Sequence, residues 1–200
     1  LQALTDESAL APPPSRVPST LPVVGRVRSA AREAAARANT GMGRRVVPVL
    51  GEFEVGPGQS IQDAVDRAAP GSTIRILPGE YFESVAIDVD NITLVGGQGT
   101  AATRPTLDGR SELSDAIIVS GHGVTIANLD VRRYVGNGIV AQETTNFTLK
   151  DTKLEDTGLY GVYPVRSSFV KIQRVEVIGA RDAGIYVGQS KNIIVRNSLA

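Results

Sequence analysis

The chain has no cysteine, no tryptophan, a single histidine (His122) and a single methionine in 200 residues. Without thiols there is no disulfide framework, no thiolate zinc site and no cysteine nucleophile. One imidazole leaves no partner for a His-rich metal site, so neither a metal nor a cofactor is expected. A serine triad would have to use that same ring. No stretch approaches the roughly 18 consecutive apolar residues of a membrane-spanning helix. The 21 basic side chains are balanced by 21 acidic ones. Nucleic acid is therefore not an expected partner, because backbone binding depends on an excess of Lys and Arg. Phosphate chemistry has no GxxxxGK[ST] loop to support it.

What is present divides the chain in two. Residues 1–50 hold seven Arg against Asp6, Glu7 and Glu33, a net of +4, which leaves the remainder at −4. Between Pro12 and Pro22 five of eleven residues are proline, which fixes φ and removes amide donors, so this stretch reads as an extended linker. Residues 26–38 (RVRSAAREAAARA) are strong helix formers that end at Asn39-Thr40-Gly41. Their apolar side chains are nearly all alanine, so they predict a helical arm with little surface to bury. The extension is taken as residues 1–52 and the main domain as 53–200. The chain opens on Leu1 without a signal peptide and reads as a processed or truncated product.

Sliding the second half against itself exposes a period of 23. Val124, Phe147, Val170 and Ile193 keep this interval, and so do Ile126, Leu149, Ile172 and Val195. Gly138-Ile139, Gly161-Val162 and Gly184-Ile185 repeat in step, with Ala116-Ile117 one residue off. A period in the twenties marks a solenoid, whose units bury their apolar faces only by stacking. The LxxLxLxxN frame of leucine-rich repeats is missing. Each unit instead holds three short β-rich pieces, such as Phe147–Lys150, Lys153–Glu155 and Gly161–Pro164. Three strands in 23 residues leave no room for a helix, which predicts an all-β solenoid of parallel β-helix type.

Ahead of the repeats, Ser60 followed by Asp63 predicts a capping box, and Ile61, Ala64, Val65 and Ala68 form one apolar helical stripe. Pro70-Gly71 ends it. Such a helix covers the open cross-section and strand edges of a first coil. A buried strand is expected from Thr73 to Leu77, turned by residues 78–81 (PGEY). A loop of about nine extra residues containing Gly97, Gly99, Pro105 and Gly109 interrupts the repeat between Gly96 and Asp115. At the far end, residues 193–200 (IIVRNSLA) break off midway through a coil, so further coils or another chain are expected to cover them.

Residues 56–100 (GPGQSIQDAVDRAAPGSTIRILPGEYFESVAIDVDNITLVGGQGT) resemble the opening of right-handed parallel β-helix proteins of the pectate-lyase-like superfamily. The repeats after them are similar to carbohydrate-binding and sugar-hydrolase β-helix repeats. The likeness runs from about Phe53 to Ala200 and implies a right-handed single-stranded parallel β-helix with a short N-terminal capping helix. It also implies an extracellular or periplasmic protein that meets a polysaccharide on the outer face of its stacked strands. A superfamily of lyases, hydrolases, epimerases, tailspikes and adhesins leaves the reaction open. Because 17 Arg stand against four Lys, a bacterial source is expected. The sequons at Asn91 and Asn146 are therefore read as strand-leading asparagines.

Alternation points Ile117, Ile139, Val162 and Ile185 inward, with Ala141, Pro164 and Val187 two residues on. Ile118, Val140, Tyr163 and Tyr186 then face outward. Adjacent coils lie about 4.8 Å apart, so Tyr163 and Tyr186 are expected to form an aromatic ladder on the surface, at the groove position the resemblance implies. Cleavage of a glycoside needs paired carboxylates, and proton abstraction from a uronate needs a nearby cation. The outward columns, continued by Ser120, Gln142, Val165 and Gly188, hold neither. The nearest charges are Glu143 and Arg166 just past the strand, and Asp156 and Asp182 in the turns before it. Together with the two tyrosines these are the candidate substrate-binding residues, and no catalytic residue is assigned. Gly121-His122-Gly123 is similar to the GHG of polygalacturonases but lacks their aspartates. Asn128, Asp151, Arg174 and Asn197 predict a ladder of turn residues. A noncatalytic scaffold that displays loops to a protein partner is the alternative function.

Overall fold

The computed structural model describes residues 47–97 and 101–200. The proline-rich linker and helical arm expected before them lie outside the described residues. Strands β1 (Glu52–Val55), β2 (Thr73–Ile76), β5 (Thr93–Gly96), β8 (Thr125–Ala127), the first halves of β11 (Thr148–Glu155) and β13 (Ser168–Ile178), and β15 (Lys191–Arg196) form one wall. A second wall holds β3 (Glu80–Tyr81), β6 (Thr106–Asp108), β9 (Asp130–Arg132) and the latter halves of β11 and β13. The third wall is β4 (Val85–Ile87), β7 (Ile117–Val119), β10 (Ile139–Gln142), β12 (Tyr160–Val165) and β14 (Ala183–Ile185). Every pairing is parallel, and the chain winds through the walls in turn as a parallel β-helix of about six coils.

The repeat period is the register of the sheet. Ile126, Leu149, Ile172 and Val195 are successive partners on the first wall, and Ile117, Ile139, Val162 and Ile185 on the third. Inward residues from all walls meet in one core with Phe147, Leu94, Ile74 and Tyr134. Side chains at each corner obey a further rule. A Cβ on Gly138 would overlap Leu154 of the next coil, one on Gly161 would overlap Val177, and one on Gly184 would overlap Ala200. The repeated glycine is thus the socket for a second-wall side chain one coil on, which explains why a Gly precedes Ile139, Val162 and Ile185 of the third wall.

Helix α1 (Ile61–Arg67) sits where the sequence predicts it and buries Ile61, Ala64 and Val65. Its cap is only half local. Ser60 Oγ accepts the Asp63 amide at 3.2 Å, while Glu83 accepts the Ile61 and Gln62 amides at 2.8 and 3.1 Å and the Ser60 hydroxyl at 3.0 Å. The Gln62 side chain imitates a missing strand beside β4, the terminal strand of the third wall. Its Oε1 accepts the Ala86 amide at 2.6 Å and its Nε2 donates to the Ala86 carbonyl at 3.2 Å. An edge so satisfied is closed to another chain.

The expected loop is divided rather than continuous. The step from Thr93 to its partner Thr125 carries the extra length, but β6 lies within it, paired with both β3 and β9. These pairings require a strand at Thr106–Asp108, so Gly109 belongs to the following turn. The inserted stretch before β6 includes a 3₁₀ turn at Ala101–Thr103.

Candidate functional site: the outer face of the third wall

The outer side of the third wall carries its own small apolar cluster, in which Val140, Tyr163 and Val165 are buried with Ile118 and Tyr160 packed against them. Tyr163 and Tyr186 lie on adjacent coils as expected, with ring centroids 5.5 Å apart and planes tilted by 38°. Their exposure differs. Tyr186 is 39% exposed, but Tyr163 is only 8% exposed, which corrects its place in a surface ladder. The Tyr163 ring lies across Gly188, where an added Cβ would come within 2.9 Å of it. It is a buried support, and burial raises its hydroxyl pKa, with Tyr186 adding to the rise and Arg166 opposing it.

Tyr160 completes the group. Its ring is 4.7 Å from Tyr186 at 16°, a stacked pair, and 4.9 Å from Tyr163 at 51°. Alternation counted back from Val162 would turn Tyr160 inward. Gly161 and Val162 both face the core at this corner, however, so the alternation breaks and Tyr160 swings out. The recurring glycine was the signal that could have located it.

The charged candidates separate into two places. Arg166 and Glu143 form an ion pair of 2.8 Å beyond the strand ends, both in left-handed backbone with φ 48° and 51°. Arg166 is close enough to Tyr163 to bias its ionisation. Burial raises the Tyr160 pKa, and the neighbouring Asp182 carboxylate adds to the rise. Asp156 is not part of this group. It lies at the second-wall corner with φ 52°, beside Gly179, and acts electrostatically on Arg133. The tyrosines, Asp182, Arg166 and Glu143 thus flank one surface, while Asp156 serves another.

That other surface is rich in charges already matched to each other. Asp108 accepts from Arg133 Nε at 2.9 Å, from Arg133 Nη2 and from Arg132 Nε at 2.9 Å, while Arg132 also reaches Glu80 at 2.6 Å. Arg104 pairs with Asp130 at 3.5 Å and Lys153 with Glu155 at 2.7 Å. Burial raises the Asp130 pKa against the opposing pull of Arg104. The turn column behaves as a ladder, with Asn128, Asp151, Arg174 and Asn197 all at positive φ and Arg174 gripping Asp151 through two bonds of 2.5 and 2.8 Å. His122 ties coils together. Its amide donates to Asp90 at 2.8 Å and its Nδ1 accepts the Thr145 amide at 3.2 Å. Among the described residues no group of three or more His, Cys, Asp or Glu is placed to hold a metal ion.

A parallel solenoid with a flat, partly aromatic outer wall is the class that the fold and this surface define. The profile of the right handed beta helix region matches residues 91–200, more than half of the chain, and the protein belongs to that family. Comparison with curated proteins and with solved structures finds no match.

Proposed function

We propose that the outer face of the third wall binds a polysaccharide, with Tyr160 and Tyr186 as the accessible rings and Tyr163 beneath them. The stacked Tyr160–Tyr186 pair carries this reading, because two near-parallel rings on a surface offer an apolar platform matched to the C–H faces of sugar rings. Asp182 at one side and the Arg166–Glu143 pair at the other are hydrogen-bonding groups for sugar hydroxyls. The reading is of binding rather than cleavage, since Glu143, the carboxylate on the far side of the rings from Asp182, is engaged by Arg166. An exported bacterial protein fits this role. The alternative scaffold draws support from the buried Val140–Tyr163–Val165 cluster, which satisfies much of this face without a ligand.

Affinity electrophoresis through gels containing neutral and acidic polysaccharides tests the proposal. The parent is expected to be retarded in at least one gel, largely independently of salt, because stacking and desolvation carry the contact. Tyr160→Ala with Tyr186→Ala should lose that retardation while the melting curve shifts by no more than about 1 kcal/mol of sheet stability. Unretarded migration of the parent on every gel would leave the scaffold as the better account.

A further inference from the structure

At the corner leading into the first wall, Asn91, Gly123, Asn146, Phe169 and Asn192 stack at one position per coil, all left-handed with φ between 56° and 68°. Asn and Gly suit this conformation. Phenylalanine does not, and Phe169 is the one aromatic among the described non-glycine residues at positive φ. Core packing does not explain the choice, because Phe169 is 57% exposed. Strain held at an exposed ring, where the neighbouring coils use asparagine, points to a role outside folding.

The ring borders a groove of about 490 Å³ that also involves Asn146, Thr148, Lys171, Asn192 and Ile194. Lys171 is exposed, and neither it nor nearby Lys191 has an ion-pair partner among the described residues. Asp151, the acid of the next corner, is taken by Arg174. The groove therefore offers one aromatic face, two flanking side-chain amides, a hydroxyl and an uncompensated positive charge.

We propose that this groove is a binding subsite for an anionic sugar unit, such as a uronate within a polysaccharide. The sugar's C–H face lies on Phe169, its carboxylate faces Lys171, and its hydroxyls meet Asn146, Asn192 and Thr148. A single ring flanked by amides suits a sugar better than a nucleic-acid strand, whose binding uses successive aromatic platforms. The subsite is independent of the third-wall reading, since it uses other residues on another wall and depends on charge.

Phe169→Asn and Lys171→Ala, made separately in the full chain, test it with polygalacturonate oligosaccharides at two salt concentrations. Phe169→Asn restores the residue type of the neighbouring coils, so its thermal midpoint is expected to rise while affinity falls roughly tenfold. Lys171→Ala is expected to leave the midpoint in place and remove the salt-sensitive part of the affinity. The Tyr160→Ala, Tyr186→Ala variant should keep that salt-sensitive part, which separates a failure of one site from a failure of the other. A lowered midpoint with unchanged affinity in Phe169→Asn would overturn the proposal. So would a parent that binds single-stranded DNA and not polygalacturonate.

Discussion

Asp108 keeps its charge at 2% exposure because the Arg133 and Arg132 guanidiniums and the Arg110 amide all donate to it. The Arg133 hydrogen bonds are the largest cause holding its pKa well below the usual carboxylate range, and they outweigh desolvation, which acts the other way. The folded state then binds fewer protons than the unfolded state in acid. This contribution is present above the unfolded Asp pKa of about 3.9 and is lost as pH falls below it. Urea midpoints between pH 6 and pH 2.5 should fall more steeply for the parent than for Asp108→Asn, which should be less stable at pH 6. Single residues were the least legible scale. The outward position of Tyr163 could be read from alternation, but its burial follows from the ring's path over Gly188, a residue of the next coil. Likewise, Glu143 and Arg166 were readable as a charged turn, whereas the separation of Asp156 from Asp182 depends on which side of the corner each one leaves.

Helix α1 shows the same division between local and distant information. Its apolar stripe and Ser60 cap are sequence-local and could be read directly, but Glu83 lies beyond two strands and reaches the helix only after the first coil closes. Glu83→Ala removes the acceptor of two first-turn amides and of the Ser60 hydroxyl, along with a negative charge at the helix N-terminus. A loss of about 1 to 2 kcal/mol is expected, as for other cap deletions. Glu83→Gln should recover part of it by restoring an acceptor without the charge. Hydrogen exchange at the Ile61 and Gln62 amides, alongside denaturant melts, measures both effects. The divided loop makes the same point in reverse: length was visible in the sequence, but the short β6 was hidden because its pairing partners lie one coil away on either side.

Across the whole molecule the repeat was the most legible feature, since a fixed period becomes a fixed register wherever strands stack in parallel. Ile172 lies between Leu149 and Val195 and is fully buried, so Ile172→Ala should cost roughly 2 to 5 kcal/mol. Val195, in the same column but 46% exposed, should cost clearly less on the same change in the 200-residue chain. Paired chemical melts of the two variants check the contrast, and equal losses would contradict the assigned core. The glycine sockets carry this modularity further. Each of the regular coils holds both a cavity for its successor and the side chain that fills its predecessor, as Leu154 fills the place beside Gly138 while Gly161 receives Val177. A 23-residue block therefore carries matched male and female fittings at its two ends. Duplicating or removing one whole block leaves the fittings of the flanking coils still matched, whereas an insertion of any other length must escape sideways into a loop, as the 3₁₀ turn at Ala101–Thr103 ahead of β6 does. Copy number is thus a dimension along which this protein can lengthen its walls without redesigning its core.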